Sequence, residues 1–334
     1  MSVNILNEML KPETYDEPVE YVKVVQTHIS WVFLTGKYAY KVKKPVNFGF
    51  LDYSTLEKRK FFCEQEVALN SRLSKELYLG ALPITEKGGK LKVNGEGNVV
   101  EYTVKMKELP STALMSNLLK ENKVSKNDVQ RIAEILSDFH SRALTGGEVN
   151  EGGNLKTIKF NWNENFDQTR EFIGETIEKE EFYEIKRKVD TYMESNVELF
   201  DRRIKNGRIR DCHGDVHSGS IFITNKIYIF DCIEFNTRFR YSDVAAEVAF
   251  LSMDLKYHRK EDLSKHFVKS YINFSSDEEL LKLLPFYECY RAYVRGKVTS
   301  FILNDRNIGL EEKSKIINTA KKYFKLSLSY AKEL

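Results

Sequence analysis

Cysteine is scarce and scattered. Cys63, Cys212, Cys232 and Cys289 are the four cysteines in 334 residues, with no CxxC pair and no short Cys/His spacing, which argues against a disulfide scaffold and a structural zinc module. An excess of charge of one sign is missing too. Lys plus Arg number 52 against 49 Asp plus Glu, a formal charge of +3, which is too balanced for a dedicated nucleic-acid binder. No long apolar run occurs: the longest, over residues 244–255, is interrupted by Glu247 and Asp254 and is too short to span a bilayer. The stretch MSVNILNEML lacks a basic start followed by an apolar core, so no leader is expected, and the expected compartment is a reducing cytoplasm. Internal repeats, low-complexity segments and a GxxxxGK[ST] element are absent.

What is present suffices for a folded core: 42% hydrophobic and 12% aromatic residues, with 30% charged residues to solvate the surface. The length suggests about two domains. Residues 21–26, 31–34 and 38–43 are β-branched or aromatic runs, the last two joined by a Thr35-Gly36-Lys37 turn. Over residues 54–73, Leu56, Phe61, Phe62, Val67, Leu69 and Leu73 recur at helical spacing, with Ser54 or Thr55 as N-cap. Strands over 90–93 and 99–106 flank a turn and complete a five-stranded antiparallel sheet in the order β-β-β-α-β-β. After Leu109-Pro110 the periodicity turns helical, over 111–120, 126–143 and 164–203, with a glycine-rich loop at 146–154. A small hairpin, 220–223 with 227–230, sits within this helical part, and helices resume from Tyr241. The sequence therefore predicts an α+β chain in two parts, 1–107 and 108–334.

The densest cluster of reactive residue types is Cys212-His213-Gly214-Asp215-Val216-His217, followed by the hairpin and then Phe230-Asp231-Cys232-Ile233-Glu234. Paired carboxylates beside a hairpin suit phosphoryl transfer, in which one carboxylate orients an acceptor hydroxyl and another holds Mg²⁺ on the donor. Asp215 takes the first role and Asp231 the second. Two other readings stand beside this one: a polar loop whose His and Asp satisfy their own turn, and a metal site made by His213, Asp215 and His217 on one face of a strand. In the amino-terminal sheet, Lys41 and Lys43 share a strand face, and the following helix carries Glu64 and Glu66. A strand lysine paired with a helix glutamate is how a kinase-type site holds a cation against phosphates.

HGDVHSGSIF followed by IFD resembles the catalytic segment of the aminoglycoside phosphotransferase family, which includes choline kinase and has the bilobal protein-kinase-like fold. THISWVFL, YKVKKPVNFGFLD, CHGDVH and IFDCIEFNTRFRYSDVAAE resemble a less characterised branch, often fused to a P-loop ATPase-like domain. The resemblance spans essentially the whole chain. It implies Asp215 as the catalytic aspartate, His213 as a brace of the catalytic loop, and Asp231 as the metal-binding aspartate. It also implies Lys41 as the phosphate-contacting lysine with Glu66 its partner, Lys43 and Glu64 remaining fallback assignments, and Asp243 as a support for the loops. Met106, Lys107 and Glu108 fall where a hinge would hold adenine, although Met106 suits plain core packing equally. The cofactors implied are ATP and Mg²⁺.

Two departures stand out. The family's Asn five residues after the catalytic Asp, a ligand of the second metal, is Ser220 here, a shorter neutral ligand. The turn expected over the phosphates, Gln26-Thr27-His28-Ile29-Ser30, has no glycine, so the hydroxyls of Thr27 and Ser30 or backbone amides would make those contacts. The acceptor expected is a small hydroxylated metabolite. Arg238, Arg240, Arg291 and Arg295 disfavour a polycationic aminoglycoside, and Tyr287, Tyr290 and Tyr293 either line its pocket or pack in the core. A separate P-loop ATPase-like partner is expected, with no nucleic acid and no membrane. The alternative function is a kinase-like nucleotide binder with slow or absent transfer and a regulatory role.

Overall fold

The computed structural model describes residues 4–305 and 308–334, so Met1–Val3 of the amino-terminal stretch lie outside the described residues. The chain forms two compact units. One, the sheet unit, comprises residues through Leu118 together with Ser220–Thr237; the other, the helical unit, comprises Leu119–Gly219 and Arg238–Leu334. The segment that carries Asp231 therefore belongs with the sheet, although the sequence reading divides the chain near Pro110.

In the sheet unit, a short helix α1 (Ile5–Met9) precedes β1 (Lys23–Gln26), β2 (Ser30–Leu34) and β3 (Tyr38–Lys43), and Gly36 provides the positive φ of 87° that the β2–β3 turn requires. Helix α2 (Leu56–Ser74) starts at Thr55, whose hydroxyl accepts the Lys58 N–H. The sheet has six strands rather than the expected five, in the order β1-β2-β3-β6-β4-β5, all pairs antiparallel. The additional strand is β4 (Tyr78–Lys87), followed by β5 (Lys90–Val93) and β6 (Asn98–Lys107). Its sequence, YLGALPITEK, contains a glycine and a proline that read as strand breakers. The chain accommodates both with register shifts, at Tyr78/Gly80 beside the glycine and at Ile84/Thr85 just after Pro83. One face of the sheet buries Phe33, Tyr40, Val42, Ile84 and Val93 with Met9 and Tyr15; the opposite face buries Ala39, Val104 and Met106 with Cys63 of α2.

The buried stripe of α2 is not the apolar one. Arg59, Cys63, Glu66, Asn70 and Ser74 are buried, at intervals of three or four residues, while Phe61 is 53% exposed. Each polar member has a partner in the same unit. Arg59 Nε donates to Glu101 at 2.8 and 2.9 Å, Asn70 Oδ1 accepts the Cys232 N–H at 2.9 Å, and Ser74 Oγ donates to Ile229 O at 2.7 Å.

The helical unit begins at the end of α3 (Met115–Lys120) and contains α4 (Lys126–Arg142), α5 (Leu155–Thr169), α6 (Lys179–Ser195) and α7 (Val197–Lys205), the single helix expected over 164–203 being broken into three. Strand β7 (Ile209–Asp211) pairs with β10 (Tyr241–Asp243). The hairpin between them in sequence, β8 (Ile221–Ile223) with β9 (Ile227–Ile229), forms as predicted but belongs to the sheet unit rather than to the helical part in which the sequence reading sets it. Helices α8 (Val244–Tyr257), α9 (Glu261–Ser275), α10 (Leu280–Phe301) and α11 (Leu310–Ala331) complete the chain. Every residue of α8 from Val244 to Leu255 is buried, so it is the central helix of its unit. Tyr290 and Tyr293 pack edge-on to Trp162, with centroids 5.2 and 5.7 Å away, which makes them core aromatics. Among the described residues no helix is long and apolar enough to cross a membrane.

Gly152 sets a steric limit in this unit, because a Cβ there would lie 2.0 Å from Tyr241 O, a backbone atom that cannot step aside. Gly152→Ala should cost about 2–3 kcal/mol in urea unfolding. Gly309→Ala, with nothing within 4 Å of the added carbon, should change little. Equal midpoints for the two variants would contradict this account.

Candidate functional site

The sheet unit gathers its charges around Glu66, which has no solvent exposure. Lys41 Nζ donates to Glu66 Oε1 at 2.9 Å and to Asp231 Oδ1 at 2.6 Å. Lys43 Nζ donates to Glu66 Oε2 at 2.6 Å and also to Glu234, which accepts a further hydrogen bond from the Tyr53 hydroxyl. The result is a row of alternating charge, Asp231, Lys41, Glu66, Lys43, Glu234. Burial alone would discharge each buried member, but the neighbours win. The Glu66 carboxyl is pushed up by burial and pulled down more strongly by Lys41 and Lys43, to about 2. Burial lowers the affinity of both ammonium groups for their protons, and Asp231 with Glu66 at Lys41, and Glu234 with Glu66 at Lys43, raise it above the ordinary lysine value. Glu64, the other helix carboxylate considered, is 54% exposed and lies 3.8 Å from Lys60.

Asp231 follows β9 with φ of 65°, a left-handed backbone in a residue other than glycine, of the kind that clusters at functional sites. Its N–H donates to the Tyr78 hydroxyl oxygen at 3.2 Å, and its carboxylate is 52% exposed. Ser220 is only 2% exposed, and its carbonyl accepts the Phe230 N–H at 3.0 Å. The glycine-free turn at 27–30 is closed by Thr27, whose hydroxyl oxygen accepts the Ser30 N–H at 2.9 Å; Ser30 itself is buried, its Oγ without a hydrogen-bond partner among the described residues. Met106 packs in the core against Ala39, Cys63 and Val104. The Lys107 N–H donates to Leu77 O at 2.9 Å, the Glu108 N–H to Lys37 O at 3.0 Å, and Glu108 Oε2 accepts the Gly36 N–H at 2.8 Å. This segment is thus a braced strand end.

In the helical unit, His213 to His217 form a loop rather than a strand, so the period-two metal-site geometry is not realised. Both imidazoles are turned into the loop: His213 Nδ1 accepts the Asp215 N–H at 3.3 Å and His217 Nδ1 accepts the Gly219 N–H at 3.0 Å. His217 Nε2 lies 3.5 Å from Asp215 Oδ2. Burial raises the Asp215 carboxyl, but His217, then Arg295 and His213, lower it to about 2, so Asp215 is ionised at neutral pH.

The loop hangs from α8 by two buried carboxylates two turns apart. Glu247 Oε1 accepts the Gly214 N–H at 2.6 Å and Asp254 Oδ2 accepts the Ser218 N–H at 2.8 Å. Glu247 Oε2 is 2.7 Å from His140 Nε2, and the other ring nitrogen is 2.7 Å from the Tyr271 hydroxyl. A carboxylate only accepts, so His140 Nε2 carries the proton. From α10, Arg291 donates to Gly214 O at 3.0 Å and to Ala246 O at 3.1 Å. Both peptide groups of Gly214, whose φ is 89°, are therefore held. Asp243, expected to support the loops, takes a bidentate contact from Arg203 at 2.7 and 2.8 Å and caps α8 through the Ala245 N–H at 2.8 Å. Sequence reasoning missed the roles of Glu247, Asp254 and Arg291. The signal for the two carboxylates is that they interrupt an otherwise apolar helix and have to find partners there, whereas Arg291, on the mixed α10, has no such signal.

No family model matches the chain. Uncharacterized proteins of Mycobacterium bovis and Mycobacterium tuberculosis are 32% identical over 284 residues, which is 85% of this chain and 55% of theirs, so the chain spans about half the length of the curated relatives it matches. Among solved structures, a choline/ethanolamine kinase family protein from Mesorhizobium loti superposes with a TM-score of 0.52 at 10% identity, covering 96% of this chain and 94% of that one. Spectinomycin phosphotransferase, solved with ADP and spectinomycin, gives 0.51 at 12% identity, covering 96% and 95%. The chain has their fold. Both proteins come from the choline kinase and aminoglycoside phosphotransferase group that the sequence motifs resemble, and at such identities the likeness speaks for architecture alone.

The two lysines should separate by experiment. Lys43→Met leaves Glu234 buried against Tyr53 without its cation and should destabilise by about 3–5 kcal/mol. Lys41→Met leaves Glu66 paired with Lys43 and frees the exposed Asp231, costing about 1–2 kcal/mol. Chemical denaturation of both variants checks the order, and a larger loss for Lys41→Met would refute the shared-glutamate arrangement.

Proposed function

We propose that this chain is an ATP-dependent phosphotransferase related to choline kinase and the aminoglycoside phosphotransferases, which moves the γ-phosphoryl group to a hydroxyl of a small molecule. The observation that carries the reading is Lys41 shared between the buried Glu66 and the exposed, left-handed Asp231. A structural ion pair needs neither the strained backbone nor the solvent-facing carboxylate.

The donor set fits a hard cation and a polyphosphate. Asp231 offers an exposed carboxylate of the kind Mg²⁺ prefers, and Ser220 is a second, weaker candidate ligand. Mg²⁺, when bound, would supply charge neutralisation of the phosphates. Lys41 exchanges its contact with Asp231 for a phosphate oxygen, and Glu66 keeps Lys43 when it does so. Asp215 accepts a hydrogen bond from the acceptor hydroxyl and orients it; ionised and strongly acidic, it receives the proton late, as suits a loose transition state. His213 and His217 fix the loop on either side of it. A small hydroxylated acceptor and a separate P-loop ATPase-like protein are the partners this reading calls for.

Ser220 favours a second outcome, nucleotide binding without efficient transfer, and one experiment addresses both. Mg-ATP binding is measured by calorimetry and phosphoryl transfer by ADP release across hydroxylated metabolites. The expected result is micromolar-range binding, weakened at least tenfold in Lys41→Met, with turnover lost in Asp215→Ala and raised in Ser220→Asn. Intact binding with no transfer in any variant supports the regulatory alternative. Absence of Mg-ATP binding sinks both.

A further inference from the structure

We infer that the acceptor carries an oxyanion, a carboxylate or phosphate group, and that Arg295 is its receptor. The inference rests on the reading of Asp215 as the residue that orients the acceptor.

Helix α10 brings two arginines to the Asp215 loop, four residues apart and so on one helical face. Arg291 is spent. Its Nη1 and Nε serve Gly214 O and Ala246 O, and its guanidinium carbon lies 4.8 Å from the Phe250 ring centroid. Arg295, one turn on, is half-buried and feels Asp215 and Asp254 electrostatically. Its guanidinium carbon sits 5.7 Å from the centroid of the Tyr323 ring, and Tyr323 stacks on Tyr257 with centroids 4.0 Å apart. Among the described residues no carboxylate lies within 4 Å of this guanidinium, whereas the other arginines considered from the sequence are matched. Arg238 donates to Glu164 at 2.9 Å and to Asn161 at 2.6 Å, and Arg240 pairs with Asp211. Arg295 is thus a planar, always-charged fork beside Asp215 and the Tyr323 ring with no carboxylate partner within 4 Å among the described residues, an arrangement that suits bidentate recognition of an oxyanion.

The acidic side points the same way. A polycationic acceptor needs unspent carboxylates, and the helical unit's candidates are committed: Asp243 to Arg203, Glu247 to Gly214 and His140, and Asp254 to Ser218. That leaves Asp215 to meet the cation, itself 3.5 Å from His217 Nε2 and near Arg295, with a His217 that burial pushes toward neutrality and Asp215 pulls more strongly toward protonation.

The test uses the full chain with inorganic sulfate as the probe, titrated by calorimetry into the starting protein, Arg295→Lys and Arg295→Gln; glutamine keeps a polar side chain packed beside the Tyr323 ring and so protects folding. Sulfate affinity should fall at least fivefold in Arg295→Gln and less in Arg295→Lys, with Mg-ATP affinity unchanged within twofold. In an ADP-release panel, hydroxy acids and phosphorylated polyols should be turned over, and choline, glucosamine and aminoglycosides should not. Arg295→Gln should lower kcat/KM about 100-fold, mainly through KM. Sulfate binding that ignores Arg295, a loss of Mg-ATP affinity in its place, or turnover of cationic alcohols that is insensitive to Arg295 overturns the assignment. Failure of the phosphotransferase reading appears separately, as wild-type protein that binds no Mg-ATP, and leaves the sulfate comparison to decide the anion site.

Discussion

A carboxylate with no access to water stays ionised only if cations or N–H groups surround it. Glu66 obeys that constraint by taking one lysine on each oxygen, and much of the sheet unit is arranged to allow it. β3 must alternate so that Lys41 and Lys43 share a face. Helix α2 must turn its polar stripe inward, which in turn brings Asn70 to the Cys232 N–H and Ser74 to Ile229 O. The segment with Asp231 is thereby fastened to the helix by groups that would otherwise be a liability in a core. Lys43 carries the most weight here, because it is 1% exposed and faces two carboxylates, so the position of Glu66 does not depend on what Lys41 is holding.

The helical unit meets the same constraint differently. Glu247 and Asp254 are buried on a helix that is apolar nearly all round, and they are satisfied mainly by backbone N–H groups of one loop together with His140. Burial raises the Glu247 pKa, but His140, with smaller contributions from His213 and the Gly214 N–H, holds it below its ordinary value. The charge is therefore permanent, and so is the tether. Arg291 supplies the opposite polarity to the next carbonyl. A loop held at N–H and C=O of the same glycine has little freedom to rotate the aspartate that follows.

Much of this was legible in the sequence where chemistry and local pattern coincide. The hairpin after HGDVH and the helix after the third strand follow from short-range signals, whereas the choice of Lys41 with Glu66 comes from the family resemblance, and Glu66 in fact takes Lys43 as well. The sixth strand was not legible, because Gly80 and Pro83 carry breaker signals that only the flanking strands β5 and β6 override. The orientation of α2 was misread for a related reason: periodicity counts apolar residues, and this helix buries Arg59, Glu66 and Asn70 while leaving Phe61 outside. Pairings such as Lys43 with Glu234, 191 residues apart, have no local signature. Burial of a charge is decided by a partner that only the fold supplies.

The acidity of Asp215 adds a last constraint. A carboxyl held near 2 by His217 and Arg295 is a poor base toward an alcohol, so under the phosphotransferase reading it cannot drive the reaction by early proton removal. What it retains is direction. A fixed anion selects one orientation of a hydroxyl, and a near-attack geometry held in this way is worth several powers of ten in rate. That contribution survives only if the loop does not drift, since a displacement of about 1 Å costs about a hundredfold. Under that reading the two carboxylates of α8 and Arg291 would serve the chemistry through the position of Asp215, and the low pKa that weakens Asp215 as a base would make their precision necessary.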